Sequence, residues 1–128
     1  MAADNGCNEI RLFTYSTRVG LPKENSVSSF TVVMPATKQD VLNSLAEHGV
    51  SVNVVEFFPM AADIDVRDLK PALALGRELV AKRAVTLIVD DDSSRAIDKL
   101  GMFCDLADEE GLAVGLEFTP LTGGCGSL

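Results

Sequence analysis

Three apolar runs of this chain each end in an acidic residue, and a helical pattern separates each run from the next. The acids are Glu56, Asp90 and Glu117. Buried parallel strands that are joined by helices all point the same way, so their last residues gather at one edge of the sheet. Three carboxylates at one edge predict a polar or metal-binding site there.

Each acid has a chemical interpretation and a plainer one. Glu117 follows a short apolar run, and its carboxylate predicts an oxygen ligand for Mg²⁺ or Mn²⁺; the alternative is a solvated acid at a strand end. Glu56 is predicted to be a general base or the acceptor for a substrate hydroxyl, or else a structural acid paired with a Lys or Arg. Asp90 is predicted to contact substrate at the edge, whereas Asp92, two residues later, can simply cap the next helix.

Arg18 is the one basic residue that joins this set. It lies in a polar loop after the first predicted strand, where it could bind a substrate phosphate or carboxylate or be an ordinary exposed side chain. The only histidine, His48, is predicted at a helix end on the opposite edge of the sheet, which leaves Ser-His-Asp and Cys-His pairs unsupported. The three cysteines have no CxxC spacing, which argues against a zinc ribbon.

Length, composition and net charge limit the kind of protein that this chain can be. The chain has 128 residues, of which 47% are hydrophobic, so one domain with an aliphatic core is expected. A net charge of −8 argues against broad binding to nucleic acid or to anionic membranes. We find no apolar run long enough to span a membrane and no secretory leader, and the scattered cysteines are typical of reduced thiols. A cytoplasmic protein is therefore expected.

The first third of the chain combines a predicted strand, a loop and a helix. Ile10 to Ser16 is predicted as the first strand, and residues 17–36 as a long loop that contains an apolar island. Thr37 is predicted to cap the first helix through its hydroxyl. Gly49 fits the left-handed stop of that helix.

The rest of the chain alternates strands and helices. A second helix is predicted from about Asp65 to Lys82, with Pro71 either opening it or kinking it. The third helix follows Asp92 and buries an apolar face that includes Cys104. Strand ends recur about every thirty residues, a pattern that predicts a parallel sheet with right-handed crossovers. Four strands with three intervening helices amount to about half of a closed (β/α)8 barrel.

Several segments resemble the xylose-isomerase-like barrel superfamily. They are Val54–Phe58, Leu79–Asp90, Cys104–Ala107 and Glu110–Pro120. Within that superfamily the chain is most similar to sugar phosphate isomerase/epimerase proteins, the group that also includes endonuclease IV-type enzymes. The resemblance spans about residues 37–122, and it is strongest in the helix–Gly–strand–Leu-Glu-Phe unit.

The resemblance implies a fold, a metal and a reaction. The fold is a (β/α)8 TIM barrel, and the metal is a divalent cation (Mn, Mg or Zn) held by two Glu, one Asp and one His. Glu117 matches the first of these acids, and the other three ligands would come from later strands. Glu56 and Asp90 match rim positions whose use varies within the family, so the resemblance implies only that both line the pocket for a carbohydrate-like substrate. The implied reaction is metal-assisted proton transfer on a ketose, an aldose or a related polyol.

Two further interpretations remain open at this point. Only eleven residues follow Glu117, so we expect a partial barrel over residues 9–122, with flexible ends at 1–8 and 123–128. Such a chain could instead be a truncated, non-catalytic fragment or an assembly unit that forms a homodimer through its open sheet edges. A small doubly wound domain of the response-regulator type, with acids around Mg²⁺, is the third interpretation.

Overall fold

A computed structural model describes residues 3–15 and 32–118 of the chain. Within them, four strands form one parallel sheet in the order β1-β2-β3-β4. The strands are β1 (Glu9–Phe13), β2 (Ser51–Met60), β3 (Arg83–Ile88) and β4 (Ala113–Glu117). The predicted α/β class with four parallel strands and three helices is confirmed.

Three α-helices connect the strands. They are α1 (Lys38–His48), α2 (Lys70–Glu78) and α3 (Ser93–Glu109). Short 3-10 helices cover Ala3–Asn5 and Val66–Leu69. No helix in this part of the chain is long and apolar enough to cross a membrane.

The strand order is that of a singly wound sheet. Each strand lies beside its predecessor, and right-handed crossovers in that order place every helix on the same face. Two contacts identify this helix face: a Cβ added to Gly76 of α2 would lie 2.7 Å from Val55 Cγ2, and the ring centroids of Phe58 and Phe103 are 5.2 Å apart. A doubly wound domain reverses its strand order partway, which this sheet does not.

The termini of the helices follow from local chemistry. Gly49 ends α1 with φ 63°, and the Asp92 carboxylate accepts a hydrogen bond from the Arg95 N–H at the start of α3. Pro71 opens α2 from its first turn, where a missing N–H costs nothing. The capping prediction for Thr37 is wrong. Its hydroxyl turns back to the N–H and C=O of Met34 instead, each at 3.1 Å.

Strand β2 is longer than predicted. The apolar run was expected to end at Glu56, but the strand continues through Pro59 to Met60. Glu56 and Phe57 together oppose the single residue Val85, which is a β-bulge between β2 and β3. Glu56 therefore lies inside a strand rather than at its end, because pairing with β3 sustains the strand past the acid.

One prediction about the core is also wrong. Cys104 was expected to be a small core residue on the apolar face of α3, and it is exposed. Ala96, Phe103 and Ala107 supply the buried face of this helix. Ile97, which shares the predicted apolar face, is 68% exposed.

Candidate functional site

Side chains alternate between the two faces of the sheet, and this alternation determines which acidic residues share a face. Val55, Ala84 and Val114 are paired across the strands and face the helices, as Val55 shows by its approach to Gly76. The neighbouring row, which includes Glu56 and Gly115, must then face the other way. Glu117 lies two residues beyond Gly115 and shares that direction. We call this side of the sheet the second face.

Glu56 is a buried carboxylate on the second face. Only 5% of the residue is exposed, and Arg11 of β1 donates a hydrogen bond from Nη1 to Oε2 over 3.2 Å. Burial raises the pKa of Glu56 above its ordinary value, the Arg11 charge works against that rise, and the negative charge of Glu117 adds to it. The structure thus places two of the predicted site acids within electrostatic reach of each other.

Glu117 differs from Glu56 in its surroundings. It is the last residue of β4, as predicted, and it is exposed. It pairs in register with Leu87 of β3. A carboxylate in this position is free to meet a solute from solution.

Asp90 belongs to a different environment. It follows β3 by two residues, and its side chain is fully buried. Arg95 of α3 donates two hydrogen bonds to its carboxylate, from Nε to Oδ2 and from Nη2 to Oδ1, each over 2.6 Å. The hydrogen bonds from the Arg95 side chain and from the Asp92 N–H lower the pKa of Asp90 to about 2. Asp90 is therefore ionised at neutral pH and directed toward α3. The structure places Glu56 and Glu117 within electrostatic reach of each other, whereas Asp90 is paired with Arg95.

Arg11 and Arg95, the basic partners of Glu56 and Asp90, were not identified from the sequence. Arg11 interrupts the apolar run of β1, and a charged residue in alternation with apolar neighbours is the signal that one face is polar. Arg95 lies in the first turn of α3, where a positive charge opposes the helix dipole and so indicates a specific acidic partner.

Arg18, predicted to bind substrate, lies outside the described residues. His48 ends α1, and its Nδ1 lies 2.8 Å from the Ser44 carbonyl oxygen.

An open depression borders the Arg11 side of this face. Its volume is about 550 Å³, and its lining includes Cys7, Glu9, Arg11 and Asn53. Asn53 donates to Glu9 Oε2 over 2.8 Å and accepts from Arg83 over 3.1 Å, so the floor is already hydrogen-bonded. The depression lies toward the amino ends of the strands, away from Glu117.

A divalent metal finds too few donors among the described residues. No group of three or more His, Cys, Asp or Glu side chains comes together in residues 3–15 and 32–118. Glu56 and Glu117 supply two carboxylates, and one of these is engaged by Arg11. Mg²⁺ and Mn²⁺ need several oxygen or nitrogen ligands in fixed geometry, so this pair does not by itself make a metal centre.

Comparison with known proteins adds no family. No protein-family model matches the chain, and no curated protein sequence matches it.

Proposed function

We propose that this chain is a sugar or sugar-phosphate isomerase/epimerase-like protein whose sheet is part of a xylose-isomerase-like barrel. The singly wound order of four parallel strands, with the helices on one face, supports the architecture because a (β/α)8 barrel is built by continuing that order. In such a barrel the second face of the sheet is the interior, and Glu56 and Glu117 belong to that face.

The observation that carries the proposal is the state of Glu56. A carboxylate whose pKa is raised by burial is a stronger base than an ordinary Glu. Such a group can take a proton from the carbon beside a carbonyl and return it to the neighbouring carbon, while the hydroxyl proton moves to the former carbonyl oxygen; this is isomerisation. Epimerisation would need a second acid that returns the proton from the opposite side of the same carbon. Neither reaction consumes a co-reactant.

Arg11 has a defined part in this proposal. Its guanidinium lies 3.2 Å from the Glu56 carboxylate and is 63% exposed, so it faces both the base and the solvent. A positive charge in that position stabilises the ionised form of Glu56 and can stabilise an enediolate oxygen that develops next to it. Arg11 would therefore tune the base and bind the intermediate.

Glu117, Asp90 and Arg18 have separate roles in the proposal. Glu117 is the proposed metal ligand, although the donors among the described residues do not complete a metal site. A substrate hydroxyl at Asp90 would have to share its carboxylate with Arg95. Arg18 is proposed to bind a substrate phosphate, as its loop position predicts.

Solvent-proton exchange tests the proposal directly. Ketoses, aldoses and their phosphates are incubated with the protein in D₂O, with and without Mn²⁺, Mg²⁺ or Zn²⁺, and deuterium at the carbon beside the carbonyl is followed by NMR. We expect incorporation that falls by about 100-fold or more in Glu56→Gln. Glu47→Gln, which changes an exposed acid of α1, is the matched control and should retain the full rate.

The metal arm of the experiment is separate. If Glu117 holds a divalent cation, Mn²⁺ raises the rate of exchange in the wild type and not in Glu117→Gln. Absence of incorporation from every substrate, with each metal and with none, contradicts the proposed function.

A further inference from the structure

Two arginines lie on either side of strand β2 on the second face of the sheet. Arg11 of β1 and Arg83 of β3 both pair in register with Val54 of β2. Because Val55 faces the helices, Val54 and the two arginines beside it face the other way. Neighbouring strands are about 4.8 Å apart, so the Cα atoms of the two arginines are separated by about 10 Å. We call Arg11, Val54 and Arg83 the arginine row.

The two guanidinium groups converge over β2. Arg11 donates from Nη1 to Glu56, which follows Val54 by two residues, and Arg83 donates from Nη1 to the side chain of Asn53, which precedes it. Each guanidinium has five N–H donors, and these contacts use one donor of each. Both arginines are exposed. The remaining donors of two guanidinium groups over one strand can therefore meet a single ligand.

Arg83 has no acidic hydrogen-bond partner among the described residues. Arg11 is paired with Glu56, and Lys82 is paired with Glu9. Arg83 lies within electrostatic reach of Glu9, but its own hydrogen bond goes to an uncharged amide. In the proposed barrel this face is the interior, where an uncompensated guanidinium is costly. A bound anion would supply the missing negative charge.

The open depression on this face gives such an anion room. Its volume is about 550 Å³, and Arg11, Val54 and Asn53 belong to its lining. A phosphate or sulfate group directs its oxygens several ways, so separate oxygens can accept hydrogen bonds from each of two guanidinium groups. A carboxylate has two oxygens in one plane, which suit the fork of one arginine.

We propose that the arginine row binds a tetrahedral oxyanion of the phosphate class between Arg11 and Arg83, above Val54. The ligand is either the free anion or the phosphate group of a small organic molecule, because the two present the same oxygens. The inference does not rest on the proposed function, since binding needs only the donors and charges of this row. Binding and proton exchange are measured separately, so the failure of one is distinguishable from the failure of the other.

NMR titration of the ¹⁵N-labelled chain with inorganic phosphate at pH 7 tests the proposal. We expect saturable shifts of the Nε–H signals of Arg11 and Arg83, with a Kd on the order of 1 mM. Arg83→Gln should raise that Kd by about 10-fold or more. Arg67→Gln is the matched control, because it removes an exposed guanidinium that is paired with Asp65. It makes the same change in net charge and should alter Kd by less than about 2-fold.

A second pair of variants tests the sign of the local charge. Glu9→Gln removes an acid beside Arg83 and frees Lys82, so phosphate should bind about 2- to 5-fold more tightly. Glu78→Gln frees Lys38 in the same way on the helices and should leave Kd unchanged. Weaker binding in Glu9→Gln contradicts the proposed position of the anion.

Other ligands separate the chemical classes. Glycerol phosphate that binds as tightly as inorganic phosphate identifies a site for organic phosphates, and much weaker binding identifies a site for the free anion. Acetate should bind about 10-fold more weakly than phosphate or worse. A titration without saturation below about 50 mM phosphate, equal losses in Arg83→Gln and Arg67→Gln, or acetate that binds as tightly as phosphate each overturn the inference.

Discussion

The tightest contact between a helix and the sheet lies at Gly76 of α2, and its substitution by alanine gives a measurable test of the fold that positions Glu56. The added Cβ would lie 2.7 Å from Val55 Cγ2 and 3.4 Å from Leu112 Cδ1. Val55 is fully buried on β2, directly before Glu56, and its β-branched side chain is short and stiff. The helix or the strand must therefore move.

Two opposing terms set the magnitude. Overpacking a core by one methyl group costs about 1–3 kcal/mol. Replacing glycine by alanine inside a helix returns about 1 kcal/mol. We therefore expect Gly76→Ala to lower the free energy of unfolding by about 1 kcal/mol, with a range from about 0 to about 2 kcal/mol.

A matched control separates the two terms. Gly101→Ala lies in the interior of α3 with no atom within 4 Å of the new Cβ, so it keeps the gain in helix propensity without a clash. We expect it to be more stable than the wild type by about 1 kcal/mol. The difference between the two alanine variants then measures the clash alone, about 1–3 kcal/mol.

Urea unfolding followed by circular dichroism measures these quantities. A second cycle adds Val55→Ala, which removes the clashing methyl group. The Gly76→Ala change should then cost less than it does beside Val55, with a coupling energy of about 1–2 kcal/mol. If Gly76→Ala is as stable as Gly101→Ala, α2 does not pack on β2 as described, and the face assigned to Glu56 loses its basis.

Two further substitutions test the surroundings of the site. Val80 is a β-branched residue with φ 59°, and it is 75% exposed, so Val80→Gly should raise the free energy of unfolding by about 0.5–1 kcal/mol; a loss of stability in urea unfolding would contradict the described turn after α2. Asp90→Asn should lower the urea midpoint at pH 7, whereas Asp91→Asn, an exposed neighbour, should leave it unchanged. Because the folded-state pKa of Asp90 is lowered from 3.8 to about 2, its stabilisation is present above the unfolded value and is lost as the pH falls from about 4 toward 2. The difference between wild type and Asp90→Asn should close over that range, and a constant difference would mean that the Arg95 ion pair does not form.

The order of elements could be predicted because each one carries a local signal. Helix α3 has apolar residues at helical spacing, an Asp at its N-cap and a left-handed glycine, Gly111, just after its end. Strands β3 and β4 are largely apolar between their terminal residues, interrupted only by Thr86 in β3, as expected for parallel strands covered by helices. These signals are short-range, so they survive without knowledge of the tertiary structure.

The extent of burial on α3 could not be predicted in the same way. The apolar positions Ile97 and Cys104 follow the same periodicity as Phe103 and Ala107, yet only the latter pair is buried. Apolar residues at helical spacing show which residues lie on one face of the helix, but the number of neighbouring elements determines how much of that face is buried. That number is a tertiary property.

The candidate site shows the same division between local and tertiary information. Strand direction places Glu56, Asp90 and Glu117 toward the carboxyl ends of the strands, and the sequence contains that information. Two carboxylates must also lie on the same face of the sheet to interact, and the register of the strands determines the face. In β2 the bulge opposite Val85 allows both Val55 and Phe58 to face the helices, and it leaves Glu56 on the second face. Without the extra residue, strict alternation would turn Phe58 to the side of Glu56 and remove its packing against Phe103. The bulge thus allows a hydrophobic core on one face of the sheet and a buried acid, Glu56, on the other.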